Sequence, residues 1–140
     1  MRVGITGSRF GPVSDEQAHT LKQSLKGLMG KENILYHGAC VGVDEEAVMM
    51  AQELGYSCVA IPPIDKKSVS EAALMLSIEI RPDLGYLARN REIVHECEIL
   101  IAVPHTNYFA PLSGTWYTIQ YATKFGRKHT IIYPDGTVRF

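Results

Sequence analysis

The chain has 140 residues, 46% of them hydrophobic and 21% charged, with a formal net charge of −1. That composition suits an ordinary globular protein with one substantial core, and it is too apolar for a disordered segment. A near-neutral balance argues against a basic nucleic-acid platform, which needs clustered Lys and Arg, and no apolar run approaches the ~20 residues that span a bilayer.

Met1 leads straight into the strand-like "RVGIT" (2–6) with no signal-peptide pattern, so a cytoplasmic protein is expected. The turn chemistry of "GSRFGP" ends that strand. Ser14 then reads as a helix N-cap with Gln17 as its capping-box partner, and Leu21, Leu25, Leu28 and Met29 follow at helical spacing up to Gly30. "NILYHG" (33–38) is a second strand. "VDEEAVMMAQEL" (43–54) is a second helix with Asp44, Glu45 and Glu46 in its first turn, where the helix dipole favours them, and with Gly55 as C-cap. "SCVAIP" (57–62) is a third strand, stopped by Pro62-Pro63. Between Ile64 and Leu84 the pattern suggests a helix running into an extended piece before Arg81-Pro82. A helix "YLARNREIVHEC" begins after Leu84 or Gly85, "EILIAVP" (98–104) is the fourth strand, and the helix "GTWYTIQYATKFG" and the strand "KHTIIYP" complete the chain.

Alternation of this kind predicts an α/β fold: one domain over residues 1–140, a Rossmann-like three-layer sandwich on a mostly parallel five-stranded sheet, since parallel neighbours need crossover helices. In the order 3-2-1-4-5 the sheet reverses direction between strands one and four. Ligands of such sheets bind outside the carboxyl ends of the strands at that point. The loops after Thr6 and Val103 would then face each other, with the loop after Tyr36 beside them.

Each of these loops has residues suited to an anion. In "TGSRFG", Gly7 and Ser8 offer amides and a hydroxyl, and Arg9 a planar cation. In "HGACVGVDEEA", Gly38 and Gly42 bracket a turn that could form a nest of amides for a ribose or phosphate, and Asp44 either accepts bonds from a ribose or caps the helix. His37 at the end of the second strand reads as a structural histidine rather than a ligand or base. In "SGTWYT", Ser113 is an N-cap, and Gly114 and Thr115 place bare amides at a helix start. Arg89 and Asn90, near the start of their helix, could deliver a guanidinium to the same crevice, whereas Arg91 points elsewhere. Tyr117 and Tyr121 form a packing pair at i, i+4, and Lys66-Lys67 a solvated loop pair. Cys40, Cys58 and Cys97 lie far apart and read as reduced, buried side chains. No metal or cofactor is implied, because no cluster has ligand spacing.

Taken together, "ITGSR", "HGACVGVDEEA", "YLARNREIVHECEILIAVP" and "SGTWYTIQYA" resemble the SLOG superfamily over nearly the whole chain. That group includes the DNA-processing protein A domain, the "lonely guy" phosphoribohydrolases and small stand-alone members of the YspA/YpsA-related kind, which this chain is most similar to. The phosphoribohydrolases cleave the N-glycosidic bond of nucleoside 5′-monophosphates, with an Arg-Lys pair on a helix and a "PGGxGTxxE" motif after a strand. The resemblance puts Arg89 at the family arginine, Pro104 at the strand-closing proline and Gly114-Thr115 at the "GT". It departs at Asn90, in place of the lysine, at Thr118, in place of the glutamate, and in a longer loop before Ser113.

Cleavage through an oxocarbenium-like state wants a carboxylate, and threonine does not supply one. The resemblance therefore implies binding of a nucleotide or nucleotide-derived molecule, as a sensing or sequestering module. Gly7, Ser8, Arg9, Gly38, Asp44, Arg89, Asn90, Ser113, Gly114 and Thr115 are the expected contacts. A divergent phosphoribohydrolase using Asp44, with Arg89 as a further catalytic candidate, is the alternative, and single-stranded DNA binding a weaker one. A homodimer or higher homo-oligomer is expected by the same resemblance.

Overall fold

In the computed structural model, which describes every residue from Met1 to Phe140, the alternation resolves into twelve elements. They are β1 (Arg2–Gly7), α1 (Asp15–Gly27), β2 (Ile34–His37), α2 (Val43–Leu54), β3 (Ser57–Ala60), α3 (Glu71–Met75), β4 (Glu79–Ile80), α4 (Tyr86–Glu96), β5 (Ile99–Val103), α5 (Gly114–Phe125), β6 (Lys128–Ile132) and β7 (Val138–Arg139). One sheet holds all seven strands in the order β4-β3-β2-β1-β5-β6-β7. Its five central strands are parallel and follow the predicted 3-2-1-4-5 order. The two additions are edge strands of two residues each, β4 parallel to β3 and β7 antiparallel to β6. Neither is long enough to show a periodicity of its own. The segment from Ile64 to Leu84 contains the expected helix and extended piece as α3 and β4.

Strands buried on both faces need apolar residues at every position, and β5 is buried from Ile99 to Val103 without a break. On one face, Val3, Ile5, Leu35, Ile101 and Val103 pack against Leu21 and Leu25 of α1 and Ala47, Val48 and Ala51 of α2. On the other, Tyr36, Val59 and Leu100 meet Ile93 and Val94 of α4, and Ala102 and Ile131 meet Trp116 and Ile119 of α5.

The capping chemistry that starts α1 also ties it to the sheet. Ser14 Oγ accepts from the Gln17 amide at 3.0 Å, but Gln17 Oε1 takes the Val13 amide rather than that of Ser14. Gln17 Nε2 then donates to the carbonyls of Pro104 and Ile132 at 2.8 and 2.9 Å, from a side chain with no exposure. The residue joins the carboxyl ends of β5 and β6 beneath the crevice. Gln17→Ala strands these buried carbonyls, so it is expected to lower unfolding stability by about 2–3 kcal/mol. A urea midpoint shift at unchanged slope would report it, and a loss under 1 kcal/mol would show that water replaces the amide.

Candidate functional site

The carboxyl ends of the central strands open onto a cavity of about 700 Å³. Its walls come from the loop after β1, the β2–α2 turn, the loop after β3, the first half of α4 and the loop leading into α5. Of the ten residues named from the sequence, nine line it: Gly7, Ser8 and Arg9 on the first loop, Asp44, Arg89 and Asn90 on the inner wall, and Ser113, Gly114 and Thr115 at the start of α5.

Gly38 is the exception. It lies behind the Arg89 guanidinium, and a Cβ there would come within 2.2 Å of Nη1. The amide nest expected around it is also spent within the protein, because the Gly38 and Cys40 amides donate to Asp44 Oδ2 at 3.1 and 3.2 Å. Asp44 thus neither caps its own helix nor leaves the loop amides free for a ligand. Its other oxygen has no protein partner. Burial pushes the Asp44 carboxyl above the ordinary carboxylate range, while Arg89 and the two amides pull it back.

Close approach of the first two loops depends on glycine. Gly42 has φ of +91°, and a Cβ would meet the Arg9 backbone at 2.4 Å. In that arrangement the Val43 amide donates to the Ser8 carbonyl at 2.9 Å. Ser8 Oγ accepts from the Phe10 amide at 3.1 Å, and the exposed Arg9 lies over the Phe10 ring. No carboxylate pairs with Arg9.

Arg89 is only 3% exposed. Its Nη1 donates to the carbonyls of Gly38 and Ile61, its Nε to Asn90 Oδ1 at 2.8 Å, and its Nη2 to Cys40 Sγ at 3.6 Å. The guanidinium faces the Tyr86 ring at 5.1 Å. Its hydrogen-bond acceptors are neutral, and the nearest opposite charge is the Asp44 carboxyl, which Arg89 pulls towards ionisation. Asn90, which stands where the resemblance would have a lysine, orients the arginine instead of adding a second cation.

At the third wall, Ser113 Oγ accepts from the Trp116 amide at 3.3 Å, leaving the Gly114 and Thr115 amides without intrahelical acceptors at the positive end of α5. Tyr86 explains the glycine: a Cβ on residue 114 would lie 2.4 Å from its hydroxyl. Thr118, at the glutamate position of the hydrolases, is outside the cavity, 1% exposed, and donates to the Gly114 carbonyl at 2.8 Å.

A family model, the SLOG cluster4 family, matches residues 1–135. The chain belongs to the SLOG cluster4 family. No curated protein matches the sequence significantly. Among solved structures, this SLOG chain is similar to the molybdenum cofactor binding protein of Rippkaea orientalis, with a TM-score of 0.69 and 23% identity over 94% of this chain and 76% of that one. It is likewise similar to the molybdenum cofactor carrier protein of Chlamydomonas reinhardtii, with a TM-score of 0.66 and 24% identity over 93% and 75%. Identities this low carry the fold alone.

Several lining residues of this SLOG member escape sequence reasoning. Tyr86, His105 and Leu112 reach the cavity from positions with no anion-binding pattern, and Cys40, expected to be buried, is only partly so and lines it as well. Lys67 also lines the cavity while remaining exposed, as expected of a solvated loop residue. His37, by contrast, is structural as expected and fully buried.

Proposed function

We propose that the protein binds a nucleotide or nucleotide-derived phosphate ligand in this cavity, as a sensing or sequestering module. One observation carries the reading: the free amide end of α5 shares a single cavity with Arg9 and the Arg89 guanidinium. Helix N-terminal amides and a planar cation suit a phosphate, and a volume of this size suits a nucleoside attached to it. Gly114 and Thr115 hold the phosphate, Arg9 covers it, and Asp44 offers its unpartnered oxygen to a ribose hydroxyl. Binding without cleavage fits the Thr118 side chain, which turns away from the cavity and bonds to its own helix.

The test is a thermal-shift screen of the purified protein against nucleoside mono-, di- and triphosphates, NAD, ADP-ribose and cyclic nucleotides. The molybdenum cofactor, for which two structural neighbours are named, belongs in the same panel. A ligand at 100 times its Kd adds about 2.7 kcal/mol, several degrees for a chain of this size. Gly114→Val puts a Cβ where the Tyr86 ring now lies, displacing that ring at the start of α5, and is expected to abolish the shift. A folded Gly114→Val protein that responds like the wild type would overturn the assignment. Release of free base on incubation, lost in Asp44→Asn, would instead make the protein a hydrolase.

A further inference from the structure

Phe10 stands in a tight turn, an unusual place for a large apolar side chain, since turns favour Gly, Pro, Asn, Asp and Ser. The turn itself is firmly built. The Gly11 amide donates to the Ser8 carbonyl at 3.2 Å, and the Val43 amide ties the same carbonyl to α2 at 2.9 Å. Ser8 Oγ takes the Phe10 amide at 3.1 Å, and Gly11 closes the turn at a φ of +89°. The ring presented this way is 74% exposed and lines the cavity.

Contacts between the loops fix where the ring stands. β1 and β5 are neighbours, with Gly7 opposite Val103, so their loops leave the sheet side by side. Phe10 meets the His105 ring edge-on at a centroid distance of 6.1 Å. Thr106, the next residue, accepts the Trp116 indole N–H at 2.9 Å. Trp116 lies in the first turn of α5, together with Gly114 and Thr115. Phe10 is thus joined through one short run of contacts to the turn that offers the amides. Tyr86, another ring of the lining, already turns its face to the buried Arg89 at 5.1 Å. Over Phe10 there is only the exposed Arg9 side chain, at 5.5 Å. Leu112, fully exposed, adds apolar surface to the same lining.

The geometry points to Phe10 as the stacking platform for a planar ring of the ligand, and so as the residue that selects a nucleotide over a bare sugar phosphate. This rests on the phosphate assignment at α5. Every base has a π face, so Phe10 requires a base without choosing among them.

The test compares ribose 5-phosphate with AMP, GMP, CMP and UMP, which add a base to it. Kd values come from the Gly114 and Thr115 amide shifts of ¹⁵N-labelled protein, followed by NMR. At least one nucleotide is expected to bind about tenfold tighter than ribose 5-phosphate, the usual worth of one stacked base. Phe10→Ala should bring that nucleotide to the Kd of ribose 5-phosphate while leaving ribose 5-phosphate itself unchanged. Phe10→Tyr should keep the difference. Nucleotides no tighter than ribose 5-phosphate, a preference that survives Phe10→Ala, or an equal loss for both ligands overturns the platform and leaves the phosphate assignment standing. No saturating shift at Gly114 and Thr115 with any of the five overturns the α5 assignment and the platform with it.

Discussion

Arg89→Ala is expected to destabilise the protein by about 3–5 kcal/mol, the usual loss when one member of a buried charged network is removed. The guanidinium satisfies the Gly38 carbonyl and Asn90 Oδ1, and it supplies the positive charge nearest Asp44. Without it the Asp44 carboxylate is left in a buried site with only two amides. The effect should therefore depend on Asp44. Asp44→Asn keeps an oxygen for the Gly38 and Cys40 amides while removing the charge, so in the Arg89→Ala background it is expected to recover part of the loss. Urea unfolding of the four proteins of this cycle at neutral pH measures the coupling. Strict additivity would mean that Arg89 acts through the carbonyls and not through Asp44.

The pH dependence of the same cycle has a definite sign. The native Asp44 carboxyl binds its proton more tightly than the unfolded chain does, because burial raises it. Wild-type stability from this group therefore falls as pH rises through the raised native value. Asp44→Asn should compare best with the wild type at neutral pH and lose that advantage towards the ordinary carboxylate value of 3.8.

His37 is expected to dominate acid unfolding. Burial lowers its pKa from 6.5 to about 3, with the Arg89 charge adding to the effect. Its neutral tautomer is fixed by its partners: Nδ1 accepts from the Ala39 amide at 3.0 Å. Nε2 therefore donates to Ser77 Oγ at 2.8 Å, whose hydroxyl donates onward to the Ala73 carbonyl. Protonation would remove the acceptor that holds Ala39 at its φ of +56° and so loosen the β2–α2 turn. Because the folded pKa is depressed, the unfolded state takes up the proton first. This contribution is whole above pH 6.5 and is lost as pH falls towards about 3, by ~1.4 kcal/mol per pH unit.

His37→Gln retains a donor to Ser77 but not the Nδ1 acceptor. It should be less stable than the wild type at pH 7 and show a flatter dependence between pH 6 and 4. Carboxylates add their own slopes to both proteins, so the difference between the two curves isolates His37. Parallel curves would show that His37 titrates normally in the fold.

The residues divide plainly by what local pattern records. Apolar runs and helix caps are local, so Ser14, Gly55 and Ser113 marked their helix ends correctly, and the central strands take the 3-2-1-4-5 order expected of an alternating α/β chain. Edge strands of two residues have no period to read. Glycines in the loops pointed to the cavity, but they make room for side chains of the protein itself: Gly114 for the Tyr86 ring, and Gly38 for the Arg89 guanidinium behind the wall.

Sequence alone thus determined the parallel α/β sheet, the three loops that meet at its switch point and membership of the SLOG group, because each rests on patterns a few residues long in a fixed order. Which side chains face the cavity was decided only by tertiary packing. Asp44 turns back onto two amides of its own loop, Arg89 folds over Gly38, and Tyr86 crosses to the start of α5. Those directions come from contacts between segments tens of residues apart, and no local spacing encodes them.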